Sequence, residues 1–335
     1  GCARKAMQTA ESQPHVLFLA LYSNGDKFVD GVARAARHIN ITSRVPVQFH
    51  AVVSNTVAAM PRWCRQWAIG DMPVDAQLQH ANLTRGKPHG ASVFLWKPLL
   101  YRLVMVDKVI VLDLDVVLVG GASIQRLWSQ FDGFDSSHVI GIVQEQGPAY
   151  FRHGRSAGLN GGVQLHRLAH MRSSTNEVPS TQVGTQGTYE EALQQCAAGG
   201  CKGWDAVEPS LGDQTLYTRL CAKLPQLCHI LPCGWNRQLS TKYYSVPGFK
   251  TDWHSCQRRC ELLHFNQPLL ESMVPELQAL GSRVTCADCQ RGIQRVINHT
   301  REHPSRNPRF TWGASKQYMG SIIDSCCCSG GIVRI

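Results

Sequence analysis

Two periodicities alternate along the first half of the chain. His15–Tyr22, HVLFLALY, is a continuous apolar run closed by Ser-Asn-Gly-Asp, which predicts a buried strand and a turn. From Asp26 the spacing of Phe28, Val29, Val32, Ala36 and Ile39 is helical, with Asp26 placed to cap the helix. Val45–Ser54, VPVQFHAVVS, is strand-like again. The β-α-β order predicts a parallel sheet covered by helices. Ser92–Asp107 carries an apolar stripe through Leu95, Leu99, Leu103 and Val106, and Pro98 within it predicts a helix that begins near Lys97, because proline is tolerated in a first turn. Strands are then predicted over Lys108–Leu112, His138–Gln144 and Gly158–Leu168, and a helix over Asp213–Cys221. Ser173–Gly187, rich in Ser, Thr, Gln and Gly, predicts a loop or lid. Beyond Val284 strand signals fade, and a helical or irregular extension is expected. The chain has no internal repeat.

One interruption of the pattern carries chemistry. Val109–Gly121 reads VIVLDLDVVLVGG, an apolar run broken by Asp113 and Asp115. Successive strand residues alternate faces, so the two carboxylates share a side and repel unless a positive charge lies between them. A hard divalent cation takes oxygen ligands, and a diphosphate would complete its shell. Ligands of open α/β sheets bind at the carboxyl ends of strands, where this motif falls. The plainer reading is that both aspartates cap the following turn.

Composition adds the class and the compartment. With 335 residues, 43% hydrophobic and 17% charged, the chain is a folded globular protein with room for a large core. A net charge of +10 favours anionic partners, but the basic residues are scattered and no nucleic-acid motif accompanies them, so a solvated basic surface and no nucleic-acid partner are expected. Of 14 cysteines, all but Cys2 and Cys64 lie from Cys196 onward. That count suits an oxidising compartment, as do the acceptor sequences Asn40-Ile41-Thr42, Asn82-Leu83-Thr84 and Asn298-His299-Thr300. A zinc site through Cys256, Cys260, Cys286 and Cys289 competes, and disulfides are favoured over it. No apolar run reaches the ~18 residues of a membrane span. The expectation is a protein of the secretory-pathway lumen, Golgi-resident, with any type II membrane anchor outside this chain and secretion as the alternative.

Five segments in order carry a family resemblance: VLFLALYS; FLWKPLLYRLVMVDKVIVLDLDV; GLNGGVQLHRLAHMR; GDQTLYTRL; and LPCGWNRQLS with LLHFNQP. Together they resemble the family 8 retaining glycosyltransferases, the glycogenin-like superfamily, and within it the xylosyltransferase domain of LARGE-type enzymes and the glucoside xylosyltransferases. The resemblance covers roughly residues 15–267. It implies a GT-A type nucleotide-diphospho-sugar transferase fold, an α/β architecture with a single mixed, mostly parallel sheet flanked by helices. Residues 1–14 are then a stem remnant or linker, 15–283 the transferase domain and 284–335 a Cys-rich carboxy-terminal extension.

The resemblance also implies roles. Asp113, Asp115 and His264 would hold manganese, with magnesium as a substitute, on the diphosphate of a UDP-sugar. Ala20, Leu21, Tyr22 and Leu114 would edge the nucleotide, and Asn160, Gly161 and Gly162 the sugar. Lys97 would lie over the diphosphate or sugar, while Asp213 and Gln214 flank the reacting carbon. Retention could proceed by same-face transfer, which is favoured because glutamine is a poor nucleophile, or by double displacement. Taken alone, Asp213 reads equally as a helix cap and His264 as an ordinary core histidine. The implied activity is transfer of a sugar, xylose favoured and glucose or galactose open, to a glycan or glycoprotein acceptor. Three departures from the family pattern are visible: Gly161 replaces Ser or Thr, Thr218 replaces Asn in Asp-Gln-x-x-x-Asn, and HFNQPLL lacks the Gly-x-x-Lys-Pro-Trp segment. They keep open the alternative of a catalytically inactive relative that binds glycans or partners.

Overall fold

The computed structural model describes residues 13–20, 25–54, 59–70, 95–119, 122–145, 158–173, 188–198, 212–239, 256, 258–265, 274–280, 287, 288 and 291. The strands are β1 (His15–Ala20), β2 (Gln48–Val53), β3 (Cys64–Ala68), β4 (Val109–Leu112), β5 (Val116–Leu118), β6 (Ile140–Gln144), β7 (Leu159–His166), β8 (Cys228–Leu231), β9 (Arg237–Leu239) and β10 (Leu262–Phe265). The helices are α1 (Gly25–Thr42), α2 (Leu100–Leu103), α3 (Ile124–Trp128), α4 (Leu168–Arg172), α5 (Tyr189–Ala197), α6 (Asp213–Lys223) and α7 (Val274–Leu280).

Seven strands form the main sheet in the order β3-β2-β1-β4-β7-β6-β8. β7 runs antiparallel to β4 and β6, and the remaining pairs are parallel. The central strands are apolar on both faces because helices cover both. Leu17, Leu19, Val109 and Val111 join the core beneath α5 and α6, while the alternate residues Val16, Phe18, Ile110 and Leu112 join the core beneath α1. On α1 the buried Val29, Val32, Ala36 and Ile39 form the stripe that the spacing predicts.

Several expectations change. A second sheet of three short strands, β5-β10-β9, stands beside the main one. The strand predicted to end at Leu112 does so as β4, but Asp113 and Asp115 stand on a turn rather than in a strand, and β5 then leaves for the second sheet. The helix expected to run to Asp107 is a 3-10 turn, Lys97–Leu99, followed by the single turn α2, and the chain is extended again at Val104. Helix α1 starts at Gly25, which places Asp26 inside its first turn rather than at the cap. Nearly all of the Ser173–Gly187 segment, and the region after Val284 apart from 287, 288 and 291, lie outside the described residues.

Cys221 is bonded to Cys228 and Cys233 to Cys256, and Cys196 and Cys260 are also in disulfides. Oxidation of Cys256 and Cys260 removes two of the four ligands of the competing zinc reading. Among the described residues, no helix is long and apolar enough to cross a membrane.

Candidate donor and metal site

The site forms where the chain passes from one sheet to the other. The Asp113 N–H donates to the Gly162 carbonyl at 3.0 Å, extending the β4–β7 ladder by one step before the turn. β5 then pairs antiparallel with β10, which sets His264 opposite Val116, and the Phe265 N–H donates to the Asp115 carbonyl at 3.0 Å. Gln278 of α7 closes the turn from outside, its amide donating to the carbonyls of Leu114 at 3.3 Å and Val116 at 3.0 Å. Both carboxylates therefore face one imidazole. His264 Nε2 lies 3.3 Å from Asp115 Oδ1 and 3.8 Å from Asp113 Oδ2, and one ligand atom from each residue falls within a 4.8 Å cluster.

The imidazole is held by a buried relay. His264 Nδ1 donates to Asn236 Oδ1 at 2.9 Å; Asn236 Nδ2 donates to Asn160 Oδ1 at 2.7 Å; and Asn160 Nδ2 donates to Glu145 Oε2 at 3.0 Å. The Gly162 N–H donates to the same Asn160 oxygen at 2.9 Å. With Nδ1 committed as a donor, Nε2 is the nitrogen presented to the carboxylates. Burial disfavours a charged His264, but Asp115 and Asp113 outweigh it, and the pKa is raised above the ordinary histidine value.

Lys97 lies beneath this cluster and is almost wholly buried, at 1% exposure. Its ammonium donates to Asp113 Oδ1 and to the Gly161 carbonyl, both at 2.8 Å, and stands 3.6 Å from Asp213 Oδ2. Burial opposes its charge, yet Asp113 and Asp213 hold the pKa above the usual lysine value. Asp213 is the first residue of α6, placed there by Gly212 at φ 60°, a conformation that residues with a Cβ rarely adopt. Burial raises the Asp213 pKa, and Lys97 and the amide of Gln164, at 2.9 Å, counter that rise.

The two glycines of β7 are required by these neighbours. A Cβ at Gly162 would lie 2.2 Å from His264 Cε1, and one at Gly161 would lie 2.5 Å from Asp213 Oδ2. The space that a Ser or Thr would use at position 161 is occupied by Asp213 and Gln214. Thr218, the other departure, accepts from the Leu159 N–H at 2.9 Å and donates to the Gln214 carbonyl at 2.7 Å, pinning α6 to the start of β7.

Lys97, Asp113, Asp115, Gly161, Gly162, Asp213, Gln214 and His264 thus gather around the end of β4 and the two glycines of β7, Asp213 and Gln214 on the Gly161 side and His264 on the Gly162 side. Ala20 ends β1, whose register with β4 pairs Phe18 with Leu112, so it stands at the same sheet edge; Leu21 and Tyr22 lie outside the described residues. Leu114 packs its side chain among the residues beneath α1 and offers the turn its backbone. The Asn160 side chain, expected at the sugar, is buried in the relay. Sequence reasoning missed Glu145, Gln164, Asn236 and Gln278. Asn236 and Gln164 had a signal, standing in the quoted LPCGWNRQLS and GLNGGVQLHRLAHMR segments; Glu145 and Gln278 had none.

One imidazole nitrogen and two carboxylates suit a divalent cation, and a neutral imidazole leaves the cluster with excess negative charge to attract one. No family profile matches the chain. Human xyloside xylosyltransferase 1 is 27% identical over 206 residues, 56% of this chain and 49% of that protein. Mouse xylosyl- and glucuronyltransferase LARGE2 is 29% identical over 177 residues, 48% of this chain and 21% of that protein. The chain therefore matches about half the length of the first relative and a fifth of the second. Among solved structures, apo mouse xyloside xylosyltransferase 1 superimposes with a TM-score of 0.55 at 21% identity, over 76% of this chain and 98% of that one. The chain has the GT-A glycosyltransferase fold and is related in sequence to the xyloside xylosyltransferases and the LARGE enzymes, in keeping with the family 8 type.

Proposed function

We propose that this protein is a manganese-dependent retaining glycosyltransferase of the secretory pathway that transfers a sugar, xylose favoured by its relatives, from a UDP-sugar to a glycan or glycoprotein acceptor. The observation that carries the reading is the convergence of Asp113, Asp115 and His264 at the crossing between the two sheets. A cation held there would neutralise the negative charge that builds on the departing diphosphate. His264 would bind through Nε2 after yielding its proton, so affinity falls as pH falls.

The chain's own residues do the rest. Lys97 fixes Asp113 against the Gly161 carbonyl and brings positive charge close to the leaving group. Asp213 acts as a positioning residue for Lys97, because its carboxylate is buried among Lys97 and Gln164 rather than open to a sugar. Gln214, half-buried beside Gly161, is the polar side chain available to a developing positive charge on the sugar. In the favoured same-face transfer the bond from the anomeric carbon to the diphosphate breaks, a bond to the acceptor oxygen forms on that face, and the acceptor proton passes to the leaving phosphate. We place the transferase unit at residues 15–283, since α7 packs on α1 and supports the turn.

Purified protein with manganese and a panel of UDP-sugars tests the reading by donor hydrolysis and by transfer to xylosides. UDP-xylose is expected to turn over fastest, and Asp113→Asn is expected to abolish both turnover and metal dependence. Turnover that survives that substitution places the site elsewhere.

A further inference from the structure

A groove of about 550 Å³ lies beside the last turns of α1, apart from every residue of the donor site. Ala33, Ala36, Arg37 and Asn40 present one helical face to it, and Phe49 and Trp63 face them. Trp63 and Ile41, which also lines the groove, are each 48% exposed, and Val45 in the following loop is 40% exposed. The other large apolar side chains exposed among the described residues, Met105 and Ile230, do not line it. Apolar surface is therefore concentrated at one place, and such a patch marks a surface that something covers. Trp63 is also pre-positioned, its ring edge-on to Phe49 with centroids 5.4 Å apart.

The occupant is indicated by Asn40 itself. It is the acceptor asparagine of Asn40-Ile41-Thr42, it is exposed, and it lies in the last turns of α1. We propose that Asn40 carries an N-linked glycan whose first sugars lie in this groove against Trp63. A pyranose offers the indole one face of C–H bonds and offers Arg37 its hydroxyl and acetamido oxygens, and a guanidinium brings several N–H donors in a fixed fork. The inference rests on the lumenal location within the proposed function and is independent of the transfer chemistry. In the modification, the Asn40 amide nitrogen displaces the diphosphate of a polyprenyl-diphosphate-linked oligosaccharide. The carbon–oxygen bond at the first sugar breaks, a carbon–nitrogen bond forms, and the amide loses one proton.

The test uses the full chain secreted from eukaryotic cells behind a signal peptide. Peptide mass spectrometry is expected to find Asn40 occupied and Asn40→Gln to remove that glycan alone. Under native conditions peptide N-glycosidase is expected to release the Asn40 glycan several-fold faster from Trp63→Ala than from the parent, because the seated sugars shield the linkage. Release should also unmask the groove, with a several-fold rise in the fluorescence of a hydrophobic dye. An unmodified Asn40 in the secreted, disulfide-bonded protein overturns the proposal. Equal release rates from parent and Trp63→Ala overturn it too, as does a parent found dimeric through this face. Donor turnover is read separately, so loss of the transferase reading leaves these results intact.

Discussion

His264 is confined on two sides, and each side gives a test. Asn236 fixes its tautomer through Nδ1, and Gly162 leaves room for its ring. Asn236→Ala is expected to weaken manganese binding by roughly 10- to 100-fold, the usual cost of removing the partner of a metal-bound histidine. Gly162→Ala should do at least as much, because the ring has to move away from a Cβ at 2.2 Å. Calorimetric titration reads both, and an unchanged thermal midpoint in Asn236→Ala would separate positioning from folding. At this scale the sequence was legible where chemistry broke a pattern. Asp113 and Asp115 interrupt an apolar run, and Lys97 and His264 lie in segments resembling a family. Glu145 and Gln278 interrupt nothing and lie in no such segment, and Gln164 lies in one without a role of its own there. A buried amide or carboxylate acquires its job from partners far along the chain, and those partners are known only once the strands are paired.

Helices α1 and α7 meet through His38, whose Nδ1 donates to the Gln278 carbonyl at 3.2 Å while Nε2 accepts from the Leu118 N–H at 2.9 Å. The Nε2 contact requires the neutral ring, and burial lowers its pKa from 6.5 to about 4. Between those values the unfolded chain binds the proton and the folded one does not. The contribution is therefore whole above pH 6.5 and is lost as the pH falls toward 4, by up to about 3 kcal/mol. Urea midpoints measured from pH 7 to pH 4 should fall less steeply for His38→Gln than for the parent. Burial also lowers His50 and His166 to about 3, so the difference between the two curves isolates His38. The periodicity of α1 was readable because its buried stripe is regular. The stretch around Pro98 was not, because its apolar spacing fits a long helix while the chain uses one 3-10 turn and one α turn to bury Lys97.

Across the whole molecule, the candidate site is a seam between two sheets. A ligand that binds the folded seam and not the unfolded chain stabilises by mass action, about 2.7 kcal/mol at a hundredfold excess over Kd. Manganese with UDP is accordingly expected to raise the thermal midpoint of the parent by several degrees and to leave that of Asp113→Asn unmoved, as scanning fluorimetry would show. The α/β class was readable from the β-α-β opening. The second sheet was not, because β5, β9 and β10 have 3, 3 and 4 residues, too short for a periodicity, and they come from distant parts of the chain.

Helix α7 follows every proposed metal ligand in the sequence, yet Gln278 holds the turn on which two of them stand. A premature stop codon just after Phe265 would leave Asp113, Asp115 and His264 all encoded and still remove the prop beneath Leu114 and Val116. Variants of this gene therefore need judging by what supports the ligands as well as by whether the ligands are spelled correctly.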